Sequence, residues 1–109
     1  MAINFIQIMT TTNNREEAER IASSLVDKHL VACVQIIGPM TSIYRWQGKV
    51  ENTMEWLCHI KTTQEMYNSV EKEILSLHSY EVPEIIALPI IQGLEKYLQW
   101  IDDSINISK

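Results

Sequence analysis

The sequence predicts an α+β fold with its elements in the order β-α-β-β-α-β-α. Three observations lead there. Two amphipathic helical stretches are interleaved with strand-like runs, so the chain is neither all-helical nor all-strand. Two long strand-like runs stand back to back across the dipeptide Gln47-Gly48, the signature of a hairpin. The run "EIIALPI" (84–90) is apolar at odd and even positions alike, as in a strand buried on both faces.

Each element has its own local cause. Residues 3–10, "INFIQIMT", carry the β-branched and aromatic side chains of a strand. Asn13 or Asn14 can cap a helix that opens with Glu16, Glu17 and Glu19 and closes with Lys28 and His29, charges that suit the helix dipole at both ends. Ala18, Ile21, Ala22, Leu25 and Val26 fall on one stripe of that helix. "LVACVQIIGPMTSIYRW" and "KVENTMEWLCHIKT" form the arms of the hairpin. Thr62 and Glu65 have the spacing of a capping box, followed by a helix with Met66, Val70, Ile74 and Leu77 on one face. After the 84–90 strand, "LEKYLQWIDDSI" reads as a closing helix with Leu94, Leu98 and Ile101 at helical spacing. The simplest closure of this string is a single domain (1–109) of ferredoxin-like, split βαβ type, with helices over one face of an antiparallel sheet.

The hairpin bears on partners. A regular register from Trp46 opposite Lys49 would place Val34 opposite Lys61 and Ile36 opposite His59, an apolar row against a polar one. A bulge at Gly38-Pro39-Met40, where proline cannot donate to the ladder, is expected to move Val34 opposite Thr62 and Ile36 opposite Ile60. The same register sets Cys58 opposite Gly38 and Cys33 opposite Thr63, too far apart for a disulfide. Beyond the bulge the ribbon projects roughly 20–25 Å at ~3.3 Å per residue. Its tip carries Ile43, Tyr44, Trp46 and Val50, and such a ribbon is unstable alone. In the second arm Met54, Trp56, Cys58 and Ile60 face the core, while Leu57 shares the other face with Glu55, His59 and Lys61. A sheet covered on one side only should alternate more cleanly, so the second face is expected to be buried against further subunits.

Composition narrows the function. With 9 Lys and Arg against 14 Asp and Glu, the 109-residue chain has a formal charge of −5 and no basic stripe, so no nucleic-acid partner is expected. The N-terminal stretch lacks a basic lead-in and reads as a strand instead of a signal peptide, and no apolar run reaches membrane-spanning length. Two cysteines do not make a disulfide framework, which favours a cytoplasmic address. An acylphosphatase-type hydrolase would need a glycine-rich anion loop after the first strand, where this chain has "TTTNNRE". No nucleophile stands beside an evident base, so no enzyme activity is expected.

The segments "LVACVQII" (30–37), "TSIYRWQGKVE" (41–51), "IKT" (60–62), "HSYEVPEIIALPI" (78–90) and "YLQW" (97–100) resemble the CutA-type divalent-cation tolerance family. Two departures are Ser79, where the family usually has proline, and the order Gly38-Pro39, where it usually reads Pro-Gly. The resemblance implies ferredoxin-like protomers in a tight homotrimer, in small cytosolic proteins linked to copper and other divalent metals, with a trimer shape similar to PII signalling proteins.

The candidate residues follow from both readings. The resemblance implies metal binding at Cys33 with nearby His and acidic groups, here His78 and Glu84, and thiolate with imidazole suits copper or zinc. Cys33 is equally well a small buried hydrophobe, and His78 a favourable cation at a helix C-terminus. A weakly bound copper or other divalent cation is the cofactor expectation. His59, Lys61, Tyr80 and Trp100, with Glu84, are candidates to line an inter-subunit cleft, and Tyr44 and Trp46 to form the oligomer interface. A PII-like module binding a small anionic ligand or a partner protein is the alternative, motivated by Lys61 and His59.

Overall fold

In a computed structural model that describes residues 3–106, β1 (Phe5–Thr12), β2 (Cys33–Trp46), β3 (Lys49–Thr63) and β4 (Ile85–Ile90) form one antiparallel sheet in the order β2-β3-β1-β4. Helix α1 (Arg15–Asp27) links β1 to β2, and α2 (Tyr67–Leu77) links β3 to β4. Strand β3 is inserted between the two strands that α1 connects, which is the split arrangement the element order implies. Together with α3 (Glu95–Ile105), the described residues form a small α+β fold of four strands and three α-helices.

The core lies between the sheet and the α1/α2 layer. Ile6, Ile8, Cys58 and Ile60 from the strands meet Ala18, Ile21 and Leu25 from α1 and Val70 and Ile74 from α2. Full burial of each large aliphatic side chain contributes about 1.5–3 kcal/mol. Asn14 caps α1 by accepting the Glu17 N–H at 2.8 Å. The helix ends with His29 in the left-handed region (φ 56), its N–H donating to Val26 O and that of Leu30 to Leu25 O. This is a Schellman closure with histidine in glycine's usual place. Glu73 of α2 accepts from both Ser24 and Lys28 of α1, tying the helices together on the surface.

Several expectations change. Strand β1 runs on to Thr12, pairing Thr10, Thr11 and Thr12 with Cys58, Leu57 and Trp56. The hairpin turn is Gln47-Gly48, both at positive φ, as a type I′ turn requires. The register does break at Gly38-Pro39, but in the opposite sense: Val34 faces Ile60, Ile36 faces Cys58 and Cys33 faces Lys61. The extra residue sits in β2, because two residues there oppose Trp56 alone. Trp56 also explains the glycine, since a Cβ at Gly38 would lie 2.7 Å from Trp56 Cγ. Thr62 and Glu65 make no capping box. Thr62 is still in the ladder opposite Ile6, and its hydroxyl donates to Leu30 O at 2.8 Å. Helix α3 does not join the other two: Tyr97 meets Cys33 on the far face, 3.8 Å from hydroxyl to Sγ, and Ile101 is buried outside the main core. Strand β4 is an edge of the sheet, and within one chain leaves Ile86 and Leu88 half exposed. Met54, expected in the core, is exposed because it lies on the ribbon beyond the reach of α1 and α2. The longest dimension is 48 Å against 26 and 22 Å, set by this ribbon.

Candidate functional site

The extra residue in β2 decides which side chains look across the ribbon's base. Below it, Val34 and Ile36 face the helices. Above it, Met40, Ser42 and Tyr44 pair with Glu55, Thr53 and Glu51, so the even-numbered side chains of β2 turn to the other face. There they meet the loop that follows α2, and the two enclose a cleft of about 630 Å³. Tyr44, Trp46, Glu55 and Tyr80 line it, with Glu81 and Glu84. The cleft has carboxylates, phenols and hydroxyls along it but no lysine, arginine or histidine.

Glu55 and Tyr80 form its polar centre. The Tyr80 hydroxyl donates to Glu55 Oε2 at 2.8 Å, and Glu55 is only 6% exposed. Burial, and then this hydrogen bond to a carboxylate, push the Tyr80 phenol well above its ordinary value, so it remains a donor.

The loop is hooked to the fold by His78. Its Nε2 lies 2.7 Å from Thr11 O, which can only accept, so Nε2 carries the hydrogen. Nδ1 accepts the Tyr80 N–H at 3.1 Å, with Glu17 Oε2 3.4 Å away. Glu17, buried at the start of α1, also accepts the Ser79 N–H at 3.3 Å. His78 is therefore more than a helix-end cation: its N–H closes α2 on Ile74 O, while its ring is buried and fixes the direction in which Tyr80 enters the cleft.

Of the residues singled out from sequence, the fold brings Tyr44, Trp46, Tyr80 and Glu84 to this cleft. It does not bring His59, Lys61 and Trp100 there. Lys61 Nζ donates to Gln35 Oε1 at 2.8 Å, His59 stands between Met9 and Gln35 in the sheet, and Trp100 packs on Tyr97 at 5.5 Å between ring centres. Of the proposed donors, Cys33 stands apart from the other two, since Glu84 lines the cleft with Thr11, to which His78 is bonded. Cys33 is level with Gln7 on β1, whereas His78 is bonded to Thr11, four residues along the same strand. Among the described residues no group of three His, Cys, Asp or Glu side chains could hold a metal, so this donor set does not fit a metal ion within one chain. Cys33 is half-buried against Tyr97, whose phenol is raised by burial and then by the thiol; Cys58 is fully buried. Glu17 as a site residue escapes the sequence reading, which places Glu55 only beside His59 and Lys61 on one strand face. The Asn14-to-Glu17 spacing of a helix start was the only pointer to Glu17.

The family model described as "CutA1 divalent ion tolerance protein" matches residues 6–104. The chain belongs to this family. A divalent-cation tolerance protein CutA of Archaeoglobus fulgidus is 44% identical over 94% of this CutA1 chain and 98% of its own, and that of Thermus thermophilus is 42% identical over 89% and 94%. The chain spans only about half (54%) of the chloroplastic CutA of Arabidopsis thaliana, to which it is 41% identical over 91% of its own length. Among solved structures, CutA of Xylella fastidiosa superposes with a TM-score of 0.91 at 38% identity, covering 94% of this chain and 98% of that one. A structure from A. fulgidus described as a periplasmic divalent cation tolerance protein gives 0.89 at 42% identity over 96% and 100%. The compartments named for these relatives, chloroplast and periplasm, differ from one another. No helix among the described residues is long and apolar enough to cross a membrane.

Proposed function

We propose that this CutA1 chain acts as a homotrimer in tolerance of divalent cations, copper among them, without catalysing a reaction. The observation that carries it is the apolar surface one chain leaves uncovered. Ile43 and Val50 on the ribbon are 68% and 64% exposed, and Ile86 and Leu88 on the open edge 46% and 48%. A projecting ribbon and an unprotected edge strand of this composition call for further copies to cover them. Tyr44 and Trp46 stand at the ribbon's distal end, where a neighbouring copy would meet it. Cations are then held weakly, by separate donors such as Glu84 and Cys33 completed by water or by an adjacent copy. The free thiols suit a reducing, cytoplasmic compartment.

Sedimentation at micromolar concentration tests the assembly. A species of three times 12.6 kDa is expected, and a persistent 12.6 kDa species would remove the proposal. Titration calorimetry of the assembled protein with copper(II) and zinc(II) tests the cation role, which complete absence of heat would exclude.

The second reading, a PII-like module for a small anionic ligand, is favoured by one observation: Lys61 is held by a neutral partner, Gln35, and not by a carboxylate. Unchanged anion binding after Lys61→Ala would end it.

A further inference from the structure

The histidine that closes α2 has a second arrangement built into its surroundings. The side chains of His78 and Glu17 are 0% and 3% exposed. One chain alone encloses them, so copies packed on the ribbon or the sheet face do not reach them. Both ring nitrogens are engaged: Nε2–H donates to Thr11 O, and Nδ1 accepts the Tyr80 N–H. A ring that accepts at Nδ1 is neutral, because an imidazolium has two donors and no acceptor. Glu17 Oε2 waits 3.4 Å from Nδ1, too far for a good hydrogen bond, and accepts the Ser79 N–H at 3.3 Å.

A proton taken from solvent at Nδ1 inverts one of these contacts and spares the other. Nε2–H still donates to Thr11 O. The new Nδ1–H faces the Tyr80 N–H, donor against donor, with the Glu17 carboxylate beside it. A charge-assisted bond to that carboxylate, at about 2.8 Å, closes the present gap by roughly 0.6 Å and leaves the Tyr80 N–H without an acceptor. The other neighbours offer no competing charge at the ring. From β1 comes only the Thr11 carbonyl, and from the loop the Tyr80 phenol, centred 5.0 Å away. On β3, Glu55 is engaged by the Tyr80 hydroxyl, and Tyr44 of β2, Glu81 and Glu84 line the cleft beyond it. On α2, Glu73 is taken by Ser24 and Lys28, and the last turn has no basic residue. No lysine or arginine pairs with Glu17 among the described residues.

We propose that Glu17 and His78 form an acid-sensitive latch on the 78–84 loop. Neutral His78 holds the Tyr80 backbone and so aims the Tyr80 side chain at Glu55. Protonated His78 turns to Glu17 and releases the start of the loop. The latch is built from contacts within one chain and stands apart from the divalent-cation reading.

The test is nitrogen-15 NMR of the purified, assembled protein, labelled in histidine and tyrosine. Spectra are followed from about pH 8 to about pH 5, the range in which histidine ordinarily titrates. At the upper end His78 should show the Nε2–H tautomer. Towards acid its ring should gain the second proton, and in step the Tyr80 amide should lose protection from exchange ~3- to 10-fold after correction for the intrinsic rate. The His59 amide, in the middle of the sheet, should keep its protection. Glu17→Gln keeps an acceptor for Ser79 but removes the charge, and should move the Tyr80 transition to lower pH by about one pH unit or more. The proposal is overturned by an Nδ1–H tautomer at the upper end, by a ring still neutral at about pH 5, or by a Tyr80 amide that stays protected while His78 protonates. Joint loss of protection at Tyr80 and His59 overturns it as well, being general unfolding. So does an unmoved transition in Glu17→Gln, and the wild-type titration decides alone if that variant does not assemble.

Discussion

Replacing His78 by alanine separates a structural histidine from a metal ligand. The ring satisfies two backbone groups: Thr11 O, through Nε2 at 2.7 Å, and Tyr80 N–H, through Nδ1 at 3.1 Å. Its side chain is fully buried, so water cannot replace either bond without opening the loop. Each stranded group costs about 1–3 kcal/mol, giving a loss of ~2–6 kcal/mol. Against a typical total of about 5–15 kcal/mol that is a large fraction, and it should appear as a lower midpoint in urea. The measurement is made at fixed protein concentration, because assembly adds to apparent stability. It is run once in chelator and once with zinc(II). The geometry requires the same loss in both. If His78→Ala is as stable as wild type in chelator and weaker only with metal, the assignment of both ring nitrogens to the backbone is wrong.

Three further outcomes follow from particular contacts. The hydrogen bonds from Lys28 and then Ser24 hold the Glu73 carboxyl below its ordinary 4.5, so the stability it contributes is complete above that value and lost as pH falls through the lowered one. Glu73→Gln should therefore be less stable than wild type at neutral pH, with the gap closing in acid in paired denaturation curves. Burial pushes the Cys58 thiol up to about 11, so iodoacetamide at pH 8 should label it only after unfolding, as mass spectrometry of native and denatured protein can show. His29→Gly relieves a left-handed residue at the end of α1 and should raise stability by about 0.5–1 kcal/mol, read from thermal or urea unfolding.

Much of the fold was legible because the signals were local. The Asn14 cap, the stripe of α1 and the Gln47-Gly48 turn each depend on residues close in sequence. Pro39 announced where the ladder would break, but not which strand would carry the additional residue. That depends on Trp56 packing across Gly38, a contact between strands. Thr62 and Glu65 had the right spacing and the wrong context, since Leu30 O, far away in sequence, takes the Thr62 hydroxyl. The site was legible at Tyr80 and Glu84, from the crowded polar segment before β4. It was not legible at Glu17, which looked like an ordinary acidic residue at a helix start but bridges to Ser79, 62 positions on. Glu55 was legible only as a neighbour of His59 and Lys61 on one strand face; its pairing with Tyr80 arises when the 78–84 loop folds over the ribbon.

The displaced pairing at Gly38-Pro39 bears on how this lineage can vary. Deleting one of those two residues would remove the bulge and its local twist yet leave Tyr44 and Trp46 on the cleft face, because they stay opposite Glu51 and Lys49 of β3. Lengthening or trimming the arm nearer its tip should be tolerated if changes come as matched pairs, one on each strand. Drift in this protein can thus alter the arm's reach far more readily than its handedness of presentation.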